Sequence, residues 1–344
     1  MTDSFVTNTE DTYPAPIRLL DCTLRDGSYA VGFQFTEQAI GDILTGLEAA
    51  GVMYVELGHG LGLGAGDVKD PMRVPEEQCF KIAGSCLRDS AWGMFCIPGI
   101  ASLDRLREAA AAGMRFVRVG VDITEVSPAA EFLAAARDLG LETFANLMKT
   151  NVLDTAGVVA AVRQCEDYGA DAVYLVDSVG GFLPHEVAEL FTAVGAASDL
   201  PLGFHGHDNL GLANANALAA VQSGAVFVDA TLDGLGRAAG NTATERFAAI
   251  LRRLGRGDGY DCLALSQLSE RVVRPLTRLP DDRAFQVMGG LTQTHSSHFP
   301  LIIRCARTHG VDVFDLMAAV SRIDPVSPSE SLVLGTAARL AEAR

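Results

Sequence analysis

The sequence predicts a (β/α)8 barrel followed by a helical C-terminal extension. Three observations lead there. Short apolar runs alternate eight times with Ala-rich segments of helical period, and the alternation fits within about 240 residues, the usual span of such a barrel. Polar residues also gather just beyond the ends of the apolar runs, where a barrel builds its catalytic face. A doubly wound open sheet is the alternative, but it usually declares fewer strands and a phosphate loop after the first.

In chain order, strands are expected over 17–22, 54–57, 92–97, 116–121, 142–147, 172–176, 202–204 and 227–231, all short apolar runs of the length a buried strand needs. The helices between them are expected over 36–50, 75–87, 103–112, 128–139, 155–168, 184–197, 213–223 and 241–254. The first opens on Thr36, a residue type that caps orphan N–H groups, and those at Pro75, Pro128 and Pro184 open on a proline that suits the first helical turn. Gly51, Gly113, Gly140, Gly169 and Gly224 close helices. Residues 1–16 are acidic and polar and read as a flexible arm. The barrel is expected over 17–256, and 257–344 as a helical domain that contributes to the site and to subunit or partner contacts.

The chain has 344 residues, with 27 Lys and Arg against 43 Asp and Glu, for a formal charge of −16. That balance argues against nucleic-acid or anionic-membrane binding, which needs clustered cations. An anionic substrate would require a local positive charge or a metal to overrule the global field. The N-terminus lacks the basic and then apolar pattern of a signal peptide, and no long unbroken apolar run appears, so a cytoplasmic protein is expected. Its seven cysteines are scattered without CxxC pairing and read as reduced structural thiols.

The strongest local signal is "GFHGHDN". His205 and His207 alternate along an extended segment and so face one way, as half a metal site would; one of them capping the next helix is the alternative. Asp26, in "LLDCTLRDGSYA" at the end of the first strand, lies two strands away around a closed ring and completes a set of one carboxylate and two imidazoles. Oxygen and nitrogen donors without thiolate suit Mn2+, Mg2+, Co2+ or Zn2+. Arg25 either forms a surface ion pair or holds the oxygen of an enolate or carboxylate next to the metal. His59, Lys149 and Ser178 follow strand ends and are further candidates for metal or substrate contact. The segment "GHGLGLGAG" at 58–66 is either a lid or a flexible excursion, and "DGLGRAAGNTATE" at 233–245 is a glycine-rich turn into the last barrel helix.

The segments "DCTLRDG", "YLVDSVGGF" and "HGHDNLGLANANALAAVQSGAVFVDATLDGLGRAAGNTATE" together resemble the metal-dependent pyruvate aldolase and HMG-CoA lyase-like barrels. Within them, the length, the 58–66 loop and the tail "THSSHFPLIIRCARTHGVDVFDLMAAVSR" are most similar to 4-hydroxy-2-oxovalerate aldolases. The resemblance implies a carbon–carbon lyase that cleaves or forms a 4-hydroxy-2-oxo acid, with pyruvate and an aldehyde as the other side of the reaction and an enolate between. It implies Mn2+ or a similar divalent metal on Asp26, His205 and His207, with Asn241 as an additional ligand, and Arg25 on the enolate. It also implies an oligomer, with an acylating aldehyde dehydrogenase as partner. An acyl-CoA-dependent condensing synthase of the isopropylmalate or homocitrate type is the alternative. One departure stands out. The family's base is a histidine three residues after the metal aspartate, and a tyrosine reaches in from the tail. Here those positions hold Tyr29 and His295, which leads to the expectation that His295, or else His298, acts as the base while Tyr29 supplies a hydroxyl.

Overall fold

The computed structural model describes residues 16–277 and 283–342, so the arm expected over 1–16 lies, apart from Pro16, outside the described residues. Eight parallel strands close on themselves in chain order: β1 (Arg18–Asp21), β2 (Tyr54–Leu57), β3 (Ala91–Cys96), β4 (Phe116–Asp122), β5 (Glu142–Met148), β6 (Ala172–Asp177), β7 (Leu202–Gly206) and β8 (Phe227–Ala230). The ring is shut by β1 on β8, with Leu20 paired to Asp229. Closure removes both sheet edges and buries the strands on two faces, which is why their sequences are apolar runs rather than alternations.

The helices α1 (Glu37–Ala49), α2 (Glu76–Cys86), α3 (Leu103–Ala111), α4 (Ala129–Asp138), α5 (Thr155–Asp167), α6 (Pro184–Gly195), α7 (Ala213–Gln222) and α8 (Thr244–Arg253) follow the strands one for one. Their starts are capped as the sequence implies: the Thr36 side chain accepts from Ala39 N–H, and Asp154 from Gly157 N–H. The expected closing glycines all have positive φ, such as +102° at Gly113. Apolar faces such as Ile40, Ile43, Leu44 and Leu47 of α1 pack on the outside of the sheet.

Inside the barrel, the period of two along each strand sorts side chains into layers. At the bottom, the rings of Tyr54, Phe116, Phe144, Tyr174 and Phe227 meet with centroids 5.3 to 6.1 Å apart. Two residues further along β2, β4 and β8 the inward positions become Glu56, Arg118 and Asp229, all buried. The next step reaches the mouth. An apolar floor therefore seals the polar interior from the far end.

The helices after α8 divide between two cores. Helix α9 (Cys262–Leu268) and the turns to Leu276 pack on the barrel, and Leu265 and Val273 belong to its core. A second core joins α11 (Phe299–His309), α12 (Val313–Ser321) and α13 (Glu330–Glu342) through Ile302, Leu316, Met317 and Val333. Helix α10 (Arg283–Thr292) links this unit to the barrel mouth, where Asn209 donates to Gln286 O at 2.9 Å and Gln293 to Gly181 O at 3.1 Å. Buried members of the first core extend to Val273, and those of the second begin at Phe299. Among the described residues no helix is long and apolar enough to cross a membrane.

Candidate active site

Asp26 opens a short 3-10 turn five residues beyond the last residue of β1, His205 lies within β7, and His207 just beyond it. One ligand atom from each lies within 4.8 Å of the others, and all three residues are buried. Each imidazole is oriented through its other nitrogen. His205 Nδ1 meets Asp229 Oδ2 at 2.8 Å and His207 Nδ1 meets Gly240 O at 3.3 Å, so both Nε2 atoms are left to a cation. Burial is the main force holding His207 down to about 4, so it is a neutral donor at ordinary pH. Burial pushes the Asp26 carboxyl up, but the Arg25 guanidinium beside it outweighs that and keeps it ionised.

A fourth donor is at hand. The chain returns from β8 through the glycine-rich turn and pairs Asn241 with His207 in an isolated antiparallel bridge. Asn241 Nδ2 donates to Asp26 Oδ2 at 2.6 Å, while its buried Oδ1 has no partner among the described residues. Two imidazoles, a carboxylate and an orphaned amide oxygen fit a hard or borderline divalent cation. A second cluster of Cys22, His205 and Asp229 does not fit one, although its atoms are as close together. Burial holds the Cys22 thiol well above its ordinary range, Arg118 Nη1 lies 3.3 Å from its sulfur, and Asp229 already serves Arg118 and His205.

Beneath the three candidate ligands runs a chain of alternating charges. Arg25 Nε donates to Glu56 Oε2 at 2.7 Å, Arg118 Nη1 reaches the same oxygen at 3.0 Å, and Arg118 Nη2 bonds Asp229. Arg118 also lies 4.4 Å over the Tyr174 ring. Every member is at most 6% exposed, so each charge depends on its neighbour for what water would otherwise supply. Arg25 is fixed at three points, by Glu56, by Asp26 at 2.9 Å and by the Phe95 ring at 4.7 Å, and its Nη2 makes no hydrogen bond among the described residues. This is not the surface ion pair that adjacent opposite charges usually form.

The mouth encloses about 500 Å³ of space open to solvent. Its wall includes Arg25, Asp26, Tyr29, Ser178, His205, His207 and His295 from among the residues read from sequence. Ser178 Oγ accepts from Lys149 N–H at 2.9 Å. Ser297 approaches His295 Nδ1 with its hydroxyl at 2.7 Å and donates its N–H to the same nitrogen at 3.3 Å. Burial, reinforced by Arg237 and His207, pushes His295 down to about 2. Burial likewise raises the Tyr29 phenol above its ordinary value, although the Arg237 cation works against it.

Four candidates do not line this cavity: Asn241, bonded to Asp26 as described, and three more. His59 is stacked on Phe33 at 3.9 Å, accepts from Leu61 N–H and reaches Asp70 O at 3.1 Å, so it shapes the loop after β2. Lys149 Nζ is taken by Asp122 at 2.8 Å and Val326 O at 3.0 Å. His298 Nε2 meets Val326 O at 3.2 Å. The loop at 58–66 is packed rather than a loose excursion: Leu63 is fully buried, and its N–H donates to Phe95 O at 2.8 Å. Gly60 is needed there because a Cβ would come within 2.2 Å of the Tyr29 ring.

Sequence reading missed Arg118, Asp229, Asn146 and Arg237. The first two carried a visible signal, a charge inside the strand sequences "FVRVGVD" and "FVDA". Asn146 is buried on the cavity wall, and its Oδ1 has no partner among the described residues. Arg237 is the one basic residue in a turn that reads mainly as glycine.

The chain has relatives among known proteins. The family model described as HMGL-like matches residues 16–272. The chain is 36% identical over 330 residues to a 4-hydroxy-2-oxovalerate aldolase of Carboxydothermus hydrogenoformans, covering 95% of this chain and 98% of that one. It is 34% identical over 327 residues to the enzyme of the same name from Geobacillus thermodenitrificans, covering 94% and 96%. The carboxyl transferase domain of Rhizobium etli pyruvate carboxylase, solved with 3-bromopyruvate, shares the fold at a TM-score of 0.76 and 20% identity, over 96% of this chain and 61% of that one.

Proposed function

The chain belongs to the HMGL-like family, and on that footing we propose that it is a divalent-cation-dependent aldolase, a carbon–carbon lyase that cleaves a 4-hydroxy-2-oxo acid to pyruvate and an aldehyde. The observation that carries this reading is the meeting of Asp26, His205 and His207 beside Arg25 on the wall of one cavity. Asp26, the two Nε2 atoms and Asn241 Oδ1 would hold the cation, with Mn2+ the first choice for such donors. When bound, it supplies Lewis-acid polarisation of the 2-oxo group.

The protein's own groups do the rest. Arg25 Nη2 donates to the oxygen that gains charge as the C3–C4 bond breaks, and Glu56 and Phe95 keep it in place before the substrate arrives. His295, on the same cavity wall as Tyr29, accepts the C4 hydroxyl proton. Tyr29 retains its proton and donates to the same oxygen. The histidine and tyrosine of the related aldolases have thereby exchanged places. Leu61, Phe95 and Ile97 exclude water from one side of the cavity.

The test is cleavage of 4-hydroxy-2-oxopentanoate by the Mn2+-loaded protein, with pyruvate read through lactate dehydrogenase and NADH. Cation-dependent NADH loss is expected. No pyruvate, together with thiol release from acetyl-CoA and a 2-oxo acid, would assign the chain to the condensing synthases instead.

A further inference from the structure

The geometry points to Arg237 as an anion seat that selects an aldehyde fragment carrying its own carboxylate, an inference that rests on the aldolase reading above. The acidity of the chain makes an uncommitted cation in the cavity unexpected. Arg25 is paired with Glu56 and Asp26, and Lys149 with Asp122. Arg237 also lines the cavity, yet among the described residues no carboxylate lies within ion-pair distance of its guanidinium.

Its position is set by three contacts. The backbone N–H of Arg237 donates to Asp26 Oδ2 at 3.4 Å, which ties the turn to the candidate ligands. Its guanidinium lies 5.3 Å over the Tyr29 ring, and its Nε donates to Ser296 Oγ at 3.3 Å. The cation therefore sits on the Tyr29 and His295 side, where the C4 oxygen and everything beyond it must lie, since Arg25 serves the 2-oxo end. A neutral alkyl chain gains nothing from a half-buried guanidinium. A terminal carboxylate gains a charge-assisted hydrogen bond in a partly desolvated site. The substrate class is accordingly a 4-hydroxy-2-oxo diacid, which cleaves to pyruvate and an aldehyde acid.

The test runs the condensing direction with the Mn2+-loaded protein, pyruvate, and either of two four-carbon aldehydes, 4-oxobutanoate or butanal. The wild type is expected to favour 4-oxobutanoate in kcat/KM by roughly 10- to 100-fold, as one charged hydrogen bond supplies. Arg237→Gln should bring that ratio close to one, and Arg237→Lys should restore part of it. Thermal melting of each variant separates this effect from misfolding. Wild-type protein that condenses both aldehydes without preference overturns the inference and leaves the aldolase reading intact. Equal losses on both aldehydes in Arg237→Gln also overturn it, because they place the cation on the pyruvate half. Wild-type protein that binds Mn2+ but neither condenses nor enolises pyruvate overturns the aldolase reading, and this inference with it.

Discussion

Asp229→Asn probes the buried charges that orient the candidate ligands. In the native protein one Asp229 oxygen serves both the Arg118 guanidinium and His205 Nδ1. The substitution keeps the shape and removes the charge, leaving Arg118, fully buried, with Glu56 as its one carboxylate partner among the described residues. Breaking a buried pair from one side costs about 3–5 kcal/mol. For 344 residues at about 2.1 cal/mol/K each, that lowers the melting midpoint by roughly 4–7 °C. The amide can also donate to Nδ1 as readily as accept from it, which weakens the tautomer that keeps Nε2 available. Loss of such an orienting partner lowers metal affinity by about 10- to 100-fold. Calorimetric Mn2+ titration and thermal melting of the same preparation measure both. A variant that melts with the wild type and binds Mn2+ as tightly would refute the orienting role of this chain.

His295→Ala should slow cleavage of the 4-hydroxy-2-oxo acid by roughly 10²- to 10⁴-fold, the usual worth of a positioned base, and stopped-flow pyruvate detection checks it. The corresponding His298→Ala variant should cleave within about threefold of wild type, because a positioned base is what carries the 10²-fold effect and His298 faces Val326 O instead; a deficit equal to that of His295→Ala would reassign the base. Asp21 is fully buried, and burial raises its carboxyl from 3.8 to about 6 against the bonds from Thr244 and Thr23. Its folded state therefore holds a proton that the unfolded chain releases, so this stability is complete below pH 3.8 and is lost as pH rises through about 6. Asp21→Asn should accordingly gain on the wild type by up to about 3 kcal/mol between pH 4 and pH 8 in urea unfolding, and a pH-independent difference would contradict the assignment.

The barrel was legible because its strands are buried on both faces and its helices begin and end on capping residues, two signals that are local in sequence. Boundaries slipped where tertiary pairing took over. The last barrel helix was expected from 241 but starts at Thr244, because Asn241 and Ala243 are extended in bridges to His207 and Thr231. The seventh strand was expected to end at 204 but runs to Gly206, carrying His205 inside the barrel. In the site, Asp26, His205 and His207 were readable from strand ends and a period of two. The chain from Glu56 through Arg118 to Asp229 joins three strands far apart in sequence, and no local pattern pairs them. His59 shows the opposite failure: its place after a strand suggested chemistry, but the loop folds back and uses both of its nitrogens.

The central claim is that these residues, with a divalent cation, stabilise the enolate of pyruvate, and proton exchange at the pyruvate methyl group tests it most directly. The Mn2+-loaded protein is incubated with pyruvate in deuterated water, the metal is removed, and the methyl signal is followed by proton NMR. The account predicts cation-dependent loss of that signal, abolished in Asp26→Asn. Undiminished methyl protons, with Mn2+ bound to the wild type, would contradict it.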